Sequence, residues 1–173
     1  ILPSTGPSFK EVKNYLDKYN NEFIVIKCGG SVLVDKNLFI NFINDISILN
    51  KLGFIPIIIH GGGKRISNKL NEVGIKSNFI NGLRVTDKNS ISIVEEVLNN
   101  FNKEITESLK KNACDSESIT SKQNNIMIVK QENEELGFVG VPTEINLTII
   151  EKIVKEKKVP VIAPLGFDKN NQV

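Results

Sequence analysis

Two glycine clusters, each preceded by a short apolar run, constrain the fold of this chain more than any other feature. Phe23-Ile24-Val25-Ile26 leads into Lys27-Cys28-Gly29-Gly30, and Ile55-Pro56-Ile57-Ile58-Ile59 leads into His60-Gly61-Gly62-Gly63. Such β-branched runs are typical of buried strands, and a helical pattern follows each cluster. A strand, a glycine turn and a helix N-terminus bind anions, because the bare backbone approaches the ligand with free N–H groups. Two such turns, one with a lysine, predict a site for a phosphoryl group in transfer.

The composition is that of a globular chain and gives no sign of a nucleic-acid or membrane partner. Of the 173 residues 40% are hydrophobic, and 22 basic residues against 20 acidic ones leave a net charge of +2. No apolar stretch reaches the roughly 18 residues that a membrane span needs. The two cysteines, Cys28 and Cys114, are too few for a disulfide framework, so we expect reduced thiols and a cytoplasmic location.

Strand-like and helix-like patterns alternate along the chain, which predicts an α/β fold with a mainly parallel central sheet. Short runs at 118–121, 126–129 and 137–140 predict an antiparallel hairpin added to that sheet, and residues 75–87 are expected to be irregular. Further helices are expected over about 38–49, 64–73, 89–111 and 146–157, with a last buried strand over 159–163.

The first 22 residues are expected to be a lead-in that contains an amphipathic helix, and residues 23–173 to form one α/β domain. The lead-in carries Phe9, Tyr15, Leu16 and Tyr19 at helical spacing. This helix has two interpretations, since its apolar side packs either on its own domain or on another subunit.

Three later segments add to the two glycine turns. They are Asn81-Gly82-Leu83-Arg84-Val85-Thr86-Asp87, Glu135-Leu136-Gly137-Phe138-Val139-Gly140 and Val159-Pro160-Val161-Ile162-Ala163-Pro164-Leu165-Gly166. In this order and at these spacings the chain resembles the acetylglutamate branch of the amino acid kinase family, from about Phe9 to the last residue. The resemblance implies a three-layer sandwich around a mainly parallel sheet, with a small β-hairpin.

The resemblance also implies an activity, namely ATP-dependent phosphorylation of the side-chain carboxylate of N-acetyl-L-glutamate in arginine biosynthesis. ATP would be the co-substrate, would carry Mg²⁺ with it, and no metal site in the chain is implied. Because a carboxylate acceptor is already ionised at neutral pH, no general base is needed, and His60 is assigned a structural role. The implied site residues are Lys27 as the stabiliser of the transferring group, Gly29 and Gly30 as its backbone ligands, and Gly62, Gly63 and Arg84 as ligands of the acid.

The residue types agree with these implied roles. Arg84 is one of two arginines in a lysine-rich chain, and only arginine binds a carboxylate through two parallel N–H bonds, which favours a ligand over a surface arginine. Lys27 would end a buried strand, where a cation is costly without an anionic partner. We expect Arg65 to face solvent, Gly61 to serve the turn alone, and Thr86 or Asp87 to cap the next helix.

Two departures from the family pattern leave alternatives open. Members commonly carry Gly-Lys-Asp-Gly where this chain reads Ser121-Lys122-Gln123-Asn124, and they continue into an Asn-x-Asn-Ala-Asp segment and a nucleotide-binding half beyond Val173. We therefore expect a part of a longer enzyme that does not turn over alone. The alternatives are a kinase for a related acid such as N-acetyl-aminoadipate, and a non-catalytic acid-binding or regulatory module. The resemblance further implies a homodimer, or a hexamer linked by the N-terminal helix, and inhibition by arginine.

Overall fold

The computed structural model describes residues 6–29, 34–120, 126–170 and 172–173. The helices are α1 (Phe9–Lys18), α2 (Lys36–Lys51), α3 (Gly63–Glu72), α4 (Ile91–Lys111) and α5 (Leu147–Lys155), and a 3₁₀ turn covers Glu134–Leu136. The strands are β1 (Phe23–Cys28), β2 (Ile55–His60), β3 (Phe79–Ile80), β4 (Leu83–Arg84), β5 (Ser116–Ile119), β6 (Met127–Gln131), β7 (Gly140–Ile145) and β8 (Val159–Ile162).

The central sheet is parallel, as the alternating pattern predicts. Its strand order is β1-β2-β8-β5, and each neighbouring pair runs in the same direction. The register places Cys28 opposite His60 and Ile119 opposite Ile162. The carboxyl ends of all four strands therefore meet at one edge of the sheet, where open α/β sheets bind their ligands.

Two layers cover the sheet, which confirms the three-layer architecture. Because neighbouring residues of a strand face opposite sides, Ile58 and Val161 pack with Phe101 of α4 and with α2. On the other side, Ile57 and Ile162 pack with Ile153 of α5. The antiparallel pair β6–β7 forms the small hairpin, and β3–β4 form a second one.

The predicted place of residues 118–121 was wrong. Residues Ser116–Ile119 form β5 of the central sheet and pair in parallel with β8, while the hairpin consists of β6 and β7 alone. Ser116 is buried in β5 because its hydroxyl donates to the carbonyl of Thr106 on α4. The sequence pattern does not indicate a buried strand here, because the serines are polar and are buried through hydrogen bonds rather than apolar packing. Ser121 lies outside the described residues.

The segment 75–87, predicted to be irregular, contains the β3–β4 hairpin. Its two turn residues, Asn81 and Gly82, have φ of 50° and 82°. Positive φ at both centres is the geometry of a type I′ turn, for which Asn-Gly is the strongest short sequence signal. The signal was therefore present in the sequence, and it places Arg84 on a strand rather than in a loop.

The predicted helices are confirmed to within a few residues at their ends. At α4 the helix begins at Ile91, and its first half buries Val94 and Leu98. The predicted cap falls one turn earlier, because Asp87 Oδ1 accepts from the backbone N–H groups of Asn89 and Ser90. Asp87 thus caps the turn that leads into α4.

Helix α1 is mostly exposed. Val12 and Leu16 are half-buried and none of its side chains is fully buried, Phe9 is 78% exposed, and Tyr15 stacks on Tyr19 at the surface. Both interpretations of this helix, packing on its own domain and contact with another subunit, stay predictions. Both cysteines are free and buried in the core. In the described ranges there is no helix with the length and apolar character to cross a membrane.

Candidate functional site

The two glycine turns lie side by side at the carboxyl edge of the sheet. The backbone N–H of Gly61 donates to the carbonyl of Cys28 at 2.9 Å, so the second turn is tied to the end of β1. The N–H of Gly61 is therefore already bonded within the fold, which agrees with a role in the turn alone. A Cβ on Gly29 would meet no atom of the described residues within 4 Å, so these residues leave the backbone there open to a ligand. Gly30, the other predicted phosphoryl ligand, lies outside the described residues.

Lys27 lies on the same side of the sheet as α5, but on an edge strand that α5 does not cover, which corrects the argument from burial. It pairs with Ile59 and shares its face with Val25, which is 63% exposed, because β1 is an edge strand of the described sheet. Lys27 is itself exposed and so does not need an anionic partner to fold. Lys27 is the penultimate residue of β1, so it lies close in the chain to the first glycine turn.

The N-terminus of α3 is built for close approach. Gly62 is the N-cap residue, and no side chain caps the helix, so the first N–H groups of α3 have no partner within it. These groups and the helix dipole favour an anion at this point. A Cβ on Gly62 would lie 2.7 Å from Leu98 Cδ2, whereas a Cβ on Gly63 would meet nothing within 4 Å. Gly62 thus allows α3 to pack on α4, and Gly63 leaves the surface open.

The two glycines give a matched pair for a stability test. We expect Gly62→Ala to destabilise the fold by about 1 to 3 kcal/mol, because Leu98 is buried and must shift to accept the methyl group. Gly63→Ala should cost nothing and should add up to about 1 kcal/mol, because alanine favours the helix. Urea unfolding of the two variants checks this difference, and equal midpoints would contradict it.

Arg84 is brought to the start of α3 by the β3–β4 hairpin. Its guanidinium donates to the carbonyl of Gly63 at 2.9 Å and to Ser67 Oγ at 2.7 Å, and a third bond goes to Ser77 Oγ. It also lies 4.7 Å from the centre of the Phe79 ring. Partial burial lowers the pKa of Arg84, but arginine stays cationic in proteins. Among the described contacts, three of the five N–H groups are used, including both on Nη2, so the N–H of Nε and one N–H of Nη1 are left to donate to a ligand.

A cavity of about 320 Å³ lies beside α4. Leu98 forms part of its wall and is also the side chain that packs under Gly62. The hairpin β6–β7 and the loop after β8 close its other sides. Its lining is mostly apolar side chains and backbone, among them Val94, Met127, Val129, Phe138 and Leu165.

His60 is buried behind the turn and has the structural role that the sequence suggests. It is 1% exposed, packs edge-on against Phe101 at 5.0 Å between ring centres, and approaches Gly61 and Asn102 with its two nitrogens. Burial lowers the pKa of His60 to about 4, with a smaller contribution from the cation of Arg65. The imidazole is therefore neutral near pH 7.

Arg65 is only partly exposed, and it is held by partners rather than extending into solvent as predicted. Its guanidinium forms an ion pair with Glu104 of α4 and lies 4.1 Å from the centre of the Phe101 ring. Arg65 thus holds the first turn of α3 against α4, a contact that the sequence did not predict. The predicted positions at Lys122 and its neighbours 121–124 lie outside the described residues.

The depressed pKa of His60 predicts a loss of stability in mild acid. Between pH 6.5, the ordinary pKa, and pH 4 the unfolded chain binds a proton that the folded chain does not, so unfolding is favoured as the pH falls. The full contribution to the free energy of unfolding is about 3 kcal/mol. It is present above pH 6.5 and is lost as the pH falls toward 4. Denaturant unfolding from pH 7.5 to 4.5 should show this slope in the native chain and a flatter one in His60→Gln; parallel slopes would contradict it.

Comparison with known proteins decides the family of this chain. The model of the amino acid kinase family matches residues 22–173. The chain belongs to this family. Amino acid kinases similar to it include the acetylglutamate kinase of Pelagibacter ubique, 66% identical over 99% of this chain and 60% of that protein. The acetylglutamate kinase of Campylobacter jejuni is 38% identical over 92% of this chain and 57% of that protein. The resemblance seen in the sequence is confirmed.

Solved structures show the same fold. The protein smu.665 of Streptococcus mutans aligns with a TM-score of 0.75 at 28% identity, over 87% of this chain and 61% of that one. An N-acetylglutamate synthase of Neisseria gonorrhoeae, complexed with coenzyme A and N-acetyl-glutamate, aligns with a TM-score of 0.78 over 96% of this amino acid kinase chain and 40% of that one. At 18% identity this second likeness concerns the fold alone. The chain spans 57 to 60% of the length of the two kinases it matches.

Proposed function

We propose that this chain forms the acid-binding side of a kinase that transfers the γ-phosphoryl group of ATP to the side-chain carboxylate of N-acetyl-L-glutamate. The observation that carries the proposal is the meeting of two glycine turns and Arg84 at one sheet edge, through the Gly61–Cys28 and Arg84–Gly63 bonds. The relatives named acetylglutamate kinase support the choice of acid and of nucleotide.

The acid has a place for each of its parts. Its α-carboxylate binds the guanidinium of Arg84 through charge-assisted bonds from the N–H groups that the described contacts leave free. Its apolar chain and acetyl group enter the cavity beside Leu98. Its side-chain carboxylate then reaches the backbone N–H groups of Gly62 and Gly63 at the bare N-terminus of α3.

The chemistry needs positioning and charge stabilisation rather than a base. A carboxylate oxygen attacks the γ-phosphorus of MgATP, the bond to the bridging oxygen breaks, and ADP leaves with its electron pair. The charge on the transferring group is stabilised by the ammonium of Lys27 and by backbone N–H groups at Gly29 and Gly30, which is the main source of catalysis in phosphoryl transfer. Mg²⁺ enters as part of the nucleotide substrate.

We also propose that the protein is a homo-oligomer in which α1 contacts another subunit. The helix is stabilised by a reciprocal cap between Ser8 and Glu11, yet it buries none of its side chains. A folded amphipathic helix with exposed Phe9 and Tyr15 is suited to such a contact. Whether pairs or six copies form, whether arginine inhibits the enzyme, and its cytoplasmic location stay predictions.

The proposal is tested with the full-length protein, MgATP and hydroxylamine. Hydroxylamine converts the acyl phosphate into a hydroxamate and releases phosphate, so the coloured hydroxamate reports the product directly. We expect hydroxamate to form with N-acetyl-L-glutamate and not with unacetylated L-glutamate. N-Acetyl-aminoadipate, with one more methylene, should lose about 10- to 200-fold in kcat/KM. Hydroxamate formation that does not depend on the acid, or that prefers aminoadipate, would contradict the proposal.

A further inference from the structure

A buried polar network lies directly behind the second glycine turn, and the mechanism above does not use it. Its centre is Asn102 of α4, a polar residue that has no exposed surface and lies among core residues of the helix. Its Nδ2 lies 2.8 Å from the carbonyl oxygen of Val161 and 3.2 Å from Nε2 of His60. Its Oδ1 accepts from the hydroxyl of Ser118. One amide therefore joins α4 to three neighbouring strands of the sheet.

The directions of these bonds follow from the chemistry of the groups. The carbonyl of Val161 can only accept, so Asn102 must turn its NH₂ group toward it. The same NH₂ group donates its second hydrogen to His60 Nε2, which must then carry a lone pair. The proton of the neutral imidazole is left on Nδ1, which lies 3.3 Å from the carbonyl oxygen of Gly61.

Through the peptide bond between Gly61 and Gly62, the position of the Gly61 carbonyl determines the direction of the Gly62 N–H. In a planar trans peptide the C=O and the next N–H point to opposite sides. Holding the Gly61 carbonyl toward His60 therefore directs the N–H of Gly62 away from the core, toward the open edge of the sheet. The other side of Gly61 is fixed as well, because its own N–H is bonded to Cys28.

We propose that Asn102 is a positioning residue for the glycine turn: it holds His60 as the Nδ1–H tautomer, and His60 in turn holds the Gly61 carbonyl so that the Gly62 N–H faces the ligand. The proposal rests on the proposed function only for the identity of that ligand. Phe101 and Arg65 support the same arrangement, since the Phe101 ring contacts both the imidazole and the guanidinium.

The test uses nitrogen NMR of the imidazole. His60 is the single histidine of these 173 residues, and comparison with the spectrum of His60→Gln assigns its two ring nitrogens in the full-length protein. We expect the wild-type protein to show the Nδ1–H tautomer at pH 7. Asn102→Leu should mix the two tautomers, shift the amide signal of Gly62 and speed its exchange with solvent. Ser118→Ala, which frees only Oδ1 of the amide, should have a smaller effect in the same direction.

A matched control lies one turn further along α4. Thr106→Val removes another buried hydrogen bond, from the Thr106 hydroxyl to the carbonyl of Asn102, and should leave the tautomer and the Gly62 amide unchanged. In the full-length enzyme, Asn102→Leu should lower kcat by up to about 100-fold and raise the KM for the acid less, because the Gly62 N–H is misdirected while Arg84 is untouched.

Two results would overturn the proposal. The first is an Nε2–H tautomer in the wild-type protein, a measurement that does not depend on Asn102→Leu and so holds even if that variant fails to fold. The second is a folded Asn102→Leu variant with an unchanged Gly62 amide and an unchanged kcat. A wild-type protein without kinase activity would contradict the proposed function instead, and the tautomer and the Gly62 amide would still decide the role of Asn102.

Discussion

Replacing Lys27 by glutamine is expected to lower kcat of the full-length enzyme by about 100- to 1000-fold, the usual effect of removing one preorganised charge or donor from a transition state. The ammonium of Lys27 is a cation at the end of β1, next to the first glycine turn. Because the side chain is exposed, the substitution leaves the core intact. The melting temperature should therefore stay at the wild-type value while turnover falls.

The control for Lys27 is an equally exposed lysine away from the sheet edge. Lys110 lies in the last turn of α4, and Lys110→Gln should leave kcat and KM unchanged. Steady-state kinetics on the two variants separates a local effect at the turn from a general effect of lost charge. If Lys27→Gln and Lys110→Gln have equal turnover, Lys27 has no part in the transfer.

Replacing Arg84 by alanine is expected to weaken binding of N-acetyl-L-glutamate by about 2 to 5 kcal/mol, which is about 30- to 5000-fold in Kd. The variant loses the fork that binds the α-carboxylate and also the bonds to Gly63 and Ser67 that hold the start of α3. Arg84→Lys keeps the charge but not the planar fork, so it should recover only part of the affinity. Isothermal titration calorimetry measures both variants.

A modified ligand distinguishes a direct contact from an indirect effect on the turn. The α-amide of N-acetyl-L-glutamate has no α-carboxylate, so wild-type protein should bind it as weakly as Arg84→Ala binds the acid. Arg84→Ala should then show no preference between acid and amide, because the two changes remove the same interaction. If the variant still prefers the acid by the wild-type factor, Arg84 does not bind the α-carboxylate.

Much of the fold could be predicted from the sequence because local chemistry agrees with it. The strands β1 and β2, each followed by a glycine turn, and the helices after them are specified by apolar spacing and by glycine. The strand β5 was missed because its serines are buried through hydrogen bonds to α4, and such bonds are formed between residues far apart in the chain. The prediction that Lys27 ends a buried strand was also wrong, because periodicity shows that a strand is apolar but not which of its faces is packed.

The candidate site shows the same division between local and distant information. Glycine spacing indicates the turns, and the scarcity of arginine draws attention to Arg84. The roles of Arg65 and Asn102 were not visible, because each depends on a partner that folding brings near, Glu104 and Phe101 for the first and His60 for the second. An asparagine at a core position of a helical stripe is the one signal that could have indicated the network behind the turn.

The most direct test of the central claim is a titration of the labelled chain with N-acetyl-L-glutamate, followed through its backbone amide signals. The claim is that the bare N-terminus of α3 and Arg84 form one acid-binding site. We expect the amides of Gly62 and Gly63 and the guanidinium signals of Arg84 to shift together along one binding curve, while Gly74, at the far end of α3, stays unchanged. Shifts that leave the Gly62 and Gly63 amides in place, or that follow a separate curve from Arg84, would contradict the claim.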